Sequence, residues 1–81
     1  MEVLYSVQLR DLEVKSTNRK QDVKILQALL NAWNFDCGKV DGIYGVRTLD
    51  ALLNFKKKVG LERSDKVNMT VWNKLFNYGG N

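Results

Sequence analysis

Histidine is absent from the 81 residues, cysteine occurs once, and no apolar run approaches the length of a membrane span. Each absence removes a class of function. Without histidine there is no ordinary Cys/His metal site and no usual base to activate a serine or cysteine nucleophile. Cys37 cannot close an intrachain disulfide alone, and its one basic neighbour is Lys39, so it reads as a small buried thiol beside a tight turn. About 18 consecutive apolar residues are needed to cross a bilayer, and the first residues lack the basic-then-apolar order of a signal peptide. No membrane partner is therefore expected, and no signal peptide is read in this chain. Asp36 and Asp41 share a region, but Asp36 has no evident burial to raise its pKa and Asp41 has a turn to hold. The expectation is a non-enzyme with no catalytic residue, no metal and no cofactor.

A chain this short forms one small domain that buries only about 60–65% of the surface its unfolded form exposes, so nearly every apolar residue must serve one core. The 44% hydrophobic content, with Trp, Phe and Tyr spread along the chain, is that of an ordered globular module. The formal charge of +4 is uneven: in residues 1 to 14, Arg10 stands against Glu2, Asp11 and Glu13, leaving +6 on the remainder. That balance favours polyanions, whether nucleic acid, anionic membrane or an anionic cell wall, without choosing among them.

Residues 3 to 14, "VLYSVQLRDLEV", alternate apolar and polar side chains at Val7, Leu9 and partly Leu12, which suggests an extended arm or edge strand. The polar "KSTNRKQ" that follows reads as a linker. Asp22 is the expected N-cap of a first helix carrying Val23, Leu26, Leu30 and Trp33 on one stripe, with Asn34 as a left-handed stop. Ile25 and Leu29 widen the stripe, so this helix should meet more than one neighbour. A second helix starts after Gly45, with Thr48, Ala51, Leu52, Phe55 and Val59 on one face and Gly60 as its end. Asn68 caps a short third helix whose Val71, Trp72, Leu75 and Phe76 keep helical spacing, with Trp72 in the core. The expected fold is all-α: a compact three-helix bundle over residues 17–78, preceded by a short extended N-terminal arm or linker over 1–16 and followed by a tail over 79–81.

Between the first two helices lies "KVDGIYGVRT", residues 39 to 48. Asp41 can accept hydrogen bonds from amides two or three residues on, while Gly42 and Gly45 permit positive φ or a close backbone approach. Thr48 can return its hydroxyl toward the helix start. The turn should be stiff, and Gly42, Gly45 and Thr48 are its expected structural residues. Free amides at the start of the second helix lie beside Arg47 and together could receive a carboxylate or an acetamido carbonyl.

The stretch from Asp22 to Leu75 resembles the bacterial and phage peptidoglycan-binding domain found beside amidases, lysozymes and other cell-wall hydrolases. "DVKILQALL" is like the family's V-x-x-L-Q-x-x-L opening helix, "VDGIYGVRT" like V-D-G-x-F/Y-G-x-x-T, and "ALLNFKKKVGL" like A-V-x-x-F-Q-x-x-x-G-L. The sequence departs from the pattern at Lys56, where the family has glutamine. It departs again at "DKVNMTVW", which keeps Asp65 and Trp72 of D-G-x-x-G-x-x-T-W without the glycines, and at Asn34, where a glycine is usual.

The resemblance implies a non-catalytic module that anchors a tethered lytic or wall-remodelling enzyme to peptidoglycan, at the cell wall or outside the cell, in a bacterial or phage-encoded protein such as an endolysin. The gain is effective concentration. Sugar rings present an apolar C–H face beside hydroxyls, so aromatics next to amide, carboxylate and guanidinium groups suit a glycan with peptide stems. Asn31, Trp33, Asp41, Tyr44 and Arg47 are the expected ligand-binding residues, with anionic wall polymers as a further partner. A spacer or protein-interaction module of a phage or wall protein is the alternative. Nucleic acid, suggested by "KKK" at 56 to 58, is disfavoured because the third helix offers chiefly Asn73 and Lys74 to read bases, and the lysine run reads as a solvated face.

Overall fold

The three amphipathic segments form α1 (Lys20–Ala32), α2 (Val46–Val59) and α3 (Met69–Asn77), in a computed structural model that describes residues 19–78. The expected arm over 1–16 and tail over 79–81 lie outside those residues. Among the described residues the regular elements are helices, and the three-helix, all-α architecture follows the apolar spacing. α1 packs against both α2 and α3, as its widened stripe requires. Val23, Leu26 and Leu30 of α1 meet Ala51, Leu52 and Phe55 of α2 and Val71, Trp72 and Leu75 of α3 in one buried cluster. Trp72 and Phe55 are wholly enclosed and supply much of the apolar area that a domain of this size can bury.

The start of α1 corrects the expected cap. Arg19, not Asp22, occupies the N-cap position, with no side-chain cap hydrogen bond. Asp22 lies in the first helical turn and is fully buried, where Arg19 grips it through Nε to Oδ2 at 3.0 Å and Nη2 to Oδ1 at 2.9 Å. A carboxylate there still faces the positive end of the helix dipole, and the two-point guanidinium contact answers its desolvation.

Both long helices end the same way. Asn34 at φ 71° ends α1, with the Phe35 amide returning to the Leu30 carbonyl at 2.8 Å and the Asn34 amide to that of Asn31 at 3.0 Å. Gly60 at φ 80° ends α2, with the Leu61 amide returning to Lys56 at 2.9 Å. This is the αL stop that satisfies a helix's last carbonyls, and asparagine tolerates it. Asn68 caps α3 as expected, accepting from the Val71 amide at 3.1 Å.

Lys56 corrects the solvated lysine face. It is buried, and its ammonium donates to the Ser64 carbonyl at 2.7 Å, the Ser64 hydroxyl at 3.0 Å and the Lys66 carbonyl at 2.6 Å. Burial lowers its pKa, against the opposing pull of the Asp65 and Glu62 carboxylates. The loop between α2 and α3, which lacks the glycines of the family pattern, is gathered at Ser64 and Lys66 around this cation. Only Lys57 and Lys58 of the run are exposed.

Candidate functional site

Two polar residues of α1, Gln27 and Asn31, stand one helical turn apart on the same face, and both are turned inward toward the connection to α2. The Gln27 side chain is buried. Its Nε2 donates to Asp41 Oδ1, the Ile43 carbonyl and Thr48 Oγ1, each at 3.0 Å. Its Oε1 accepts from the amides of Asp41 at 3.1 Å and Gly42 at 2.9 Å. Asn31 grips the preceding residues: Oδ1 accepts from the Cys37 amide and Nδ2 donates to the Gly38 carbonyl, both at 2.8 Å. Two amides thus take the place that a paired strand would have, meeting the backbone groups of an irregular segment one by one. No buried side-chain polar atom among the described residues is left without a partner.

Inside this frame the turn has the chemistry expected of it, with two corrections. Asp41 Oδ1 accepts from the Ile43 amide at 2.9 Å, and that bond, followed by the Gln27 amide, holds the carboxyl below its ordinary range. Gly42 takes φ 81°, and a Cβ there would lie 2.3 Å from Lys20 Cγ. Gly45 needs no such freedom: it is extended, at φ −112° and ψ −163°, and a Cβ on it would meet nothing within 4 Å. The glycine that does need it is Gly38, at φ 83° with the Arg47 side chain laid against its Cα, where a Cβ would be 2.9 Å from Nε. Thr48 turns its hydroxyl to Gln27 and, at 3.5 Å, to the Ile43 carbonyl in the turn rather than to the amides at the helix start.

The expected ligand residues fall into two groups. Asn31, Asp41 and Tyr44 face the framework: Asn31 and Asp41 as above, and Tyr44 buried with its hydroxyl donating to the Asp65 carbonyl at 2.5 Å. Burial raises the Tyr44 pKa and keeps the phenol a donor. Trp33 lies apart from them, its indole donating to the Leu75 carbonyl at 2.8 Å near the end of α3 and its ring edge-on to Tyr78 at 5.6 Å. Arg47 alone is well exposed, paired at 3.3 Å with Asp36, whose side chain is also open to solvent. Cys37 is the expected buried thiol, 3.4 Å from the Gln27 carbonyl, with its pKa raised by burial.

The sequence reading missed Gln27 as the centre of the site and the exposed apolar residues on its rim. Ile43 and Val46 are 66% and 74% exposed and Val40 is 41% exposed, an arrangement with no packing purpose inside the domain. Ile43 and Val46 border a shallow groove of about 220 Å³. Gln27, Cys37 and Thr48 form its buried floor, and Lys39, Asp41, Arg47 and the uncapped first turn of α2 its walls. The position of Gln27 in "DVKILQALL" was the available signal.

A small three-helix domain whose first inter-helix turn is fixed by an internal amide, and which offers apolar and cationic groups on that turn, is a binding module. The sequence profile of the peptidoglycan binding domain matches residues 19–75, and this chain belongs to that family: it is a cell-wall binding module. Its structure is similar to the crystal structure of the SleB N-terminal domain, at 29% identity and a TM-score of 0.78 over 90% of this chain and 97% of that one.

Proposed function

We propose that the module binds peptidoglycan through the turn between α1 and α2 and so holds a tethered lytic or wall-remodelling enzyme on its polymeric substrate. The observation that carries this reading is the groove rimmed by exposed Ile43, Val46 and Arg47 over a floor fixed by Gln27. Aliphatic groups on the rim suit the C–H faces of sugars and the methyls of a stem peptide. The Arg47 guanidinium, balanced only by solvent-exposed Asp36, suits a carboxylate or an acetamido carbonyl. Because Gln27 and Asn31 fix the backbone beforehand, little conformational entropy is lost on capture. Asn31, Asp41 and Tyr44 serve by holding this surface, and Trp33 by tying the end of α1 to α3.

The test is co-sedimentation with purified insoluble peptidoglycan. Ile43→Ser with Arg47→Ala weakens binding about tenfold or more while leaving the melting transition in place, since both side chains are exposed. Undiminished binding of that variant contradicts the proposed face. The chain alone releases neither reducing ends nor free amines from the same material, and their appearance would contradict a purely binding role.

A further inference from the structure

We infer a second binding surface, separate from the turn: a cationic groove between α2 and the following loop that takes a phosphodiester-linked polyol strand attached to the wall. The groove, about 370 Å³, is lined by Leu53, Asn54, Lys56, Lys57, Leu61 and Arg63. No carboxylate lines it. Residues 56 to 66 hold five of the eleven cations of residues 19–78 and two of the six carboxylates, so the basic excess of the domain is concentrated beside it. Arg19 pairs with Asp22 and Arg47 with Asp36, both away from this groove, and among the described residues Lys57 and Arg63 form no ion pair. Lys56 contributes differently. Its ammonium is spent on the Ser64 and Lys66 carbonyls, which fixes the loop that carries Arg63 opposite Lys57.

The pattern of groups selects the ligand. Lys57 and Arg63 are pure donors, Asn54 adds an amide, and half-buried Leu53 and Leu61 give an aliphatic shelf between them. A polyol phosphate is the complement, acceptor-only and anionic at each phosphate and aliphatic in each link. Nucleic acid matches the charge, but its bases call for stacking surfaces, and no aromatic ring lines the groove. The inference rests on the wall location that family membership gives, and is independent of which residues of the turn touch peptidoglycan.

The experiment uses the full 81-residue chain on wall preparations of two kinds: one retaining covalently attached poly(glycerol phosphate), the other stripped of it with hydrofluoric acid. At low salt the retained polymer tightens binding several-fold. Lys57→Gln with Arg63→Gln removes that gain, which has a ceiling of about fivefold for each cation, the size of a Lys or Arg contact with an anionic surface. It leaves melting and binding to stripped wall unchanged. Equal losses of the variant on both walls would assign the groove to carboxylates of peptidoglycan and overturn the inference, as would no loss on either. Duplex DNA provides the remaining arm, since displacement of the chain from polymer-bearing wall at lower DNA than polyol-phosphate concentration would also overturn it. Failure of the turn reading is seen separately, as unchanged binding of Ile43→Ser with Arg47→Ala to stripped wall.

Discussion

Single residues of this domain separate by whether the backbone or a neighbour requires them. Gly42 and Gly45 look alike in "DGIYG", yet only Gly42 lies in the left-handed region, against the Lys20 side chain. Gly42→Ala therefore costs about 1–2 kcal/mol, whereas Gly45→Ala stays within about 0.5 kcal/mol, as urea titration of both variants will show. Gln27→Leu deletes five hydrogen bonds and strands the buried acceptors and donors of the turn, lowering stability by at least about 2 kcal/mol. Asp41 adds a pH dependence. Its folded-state pKa lies below its ordinary 3.8, so its stabilising contribution is complete above about pH 5 and is lost as pH falls through 3.8 toward the folded-state value. Asp41→Asn should accordingly flatten the acid limb of stability against pH, and an unchanged limb would show that other carboxylates dominate it. These roles were unevenly legible in the sequence. Asp41 and Asn34 act through their own backbone, which local chemistry predicts. Gln27 acts across 14 to 21 residues of chain, and periodicity tells which face of a helix is polar but not what that face meets.

At the scale of elements the apolar stripes predicted the three helices closely, because in so small a domain each stripe has one core to join. Helix starts were less legible. Asp22 is a strong capping residue by type, but the helix begins two residues earlier, and Arg19 makes burial of that carboxylate tolerable. The lysine run near the end of α2 departs from its expectation for a similar reason: "KKK" looks like a solvated run, yet the residue after core Phe55 points toward the following loop, as Gln27 does toward its own after core Leu26. Each long helix thus spends the polar residue next to a core position on the connection that follows it. Lys56→Met leaves the Ser64 and Lys66 carbonyls without their donor and should destabilise the domain by about 1–3 kcal/mol, with Lys56→Gln, which keeps two N–H groups, losing less. If thermal melting shows both variants as stable as the parent, the clamp is not what orders that loop. Asn68→Ala, removing the α3 cap, costs about 1 kcal/mol in the same assay.

For the molecule as a whole, family membership establishes a wall-binding module, and the physical question is which surface does the binding. The sequence pointed to the turn between α1 and α2, where Gln27 and Asn31 bond the connection to α1. Of the side chains it suggested, Asn31 and Asp41 bond to the backbone of that connection and Tyr44 to the Asp65 carbonyl, commitments across the fold that residue type alone does not reveal. The outward-facing groups, Ile43, Val46 and Arg47, are a hydrophobic pair and a cation that the fold itself leaves unburied. Binding there needs no rearrangement, since Gln27 already fixes the backbone beneath. Titration of the ¹⁵N-labelled chain with soluble muropeptides, followed amide by amide in solution NMR, tests this most directly. The account predicts that shift changes concentrate on residues 38 to 48, without broadening of the helical core, and need about tenfold more ligand or beyond in the Ile43→Ser, Arg47→Ala variant; changes centred on α3, or spread over all three helices, would contradict it.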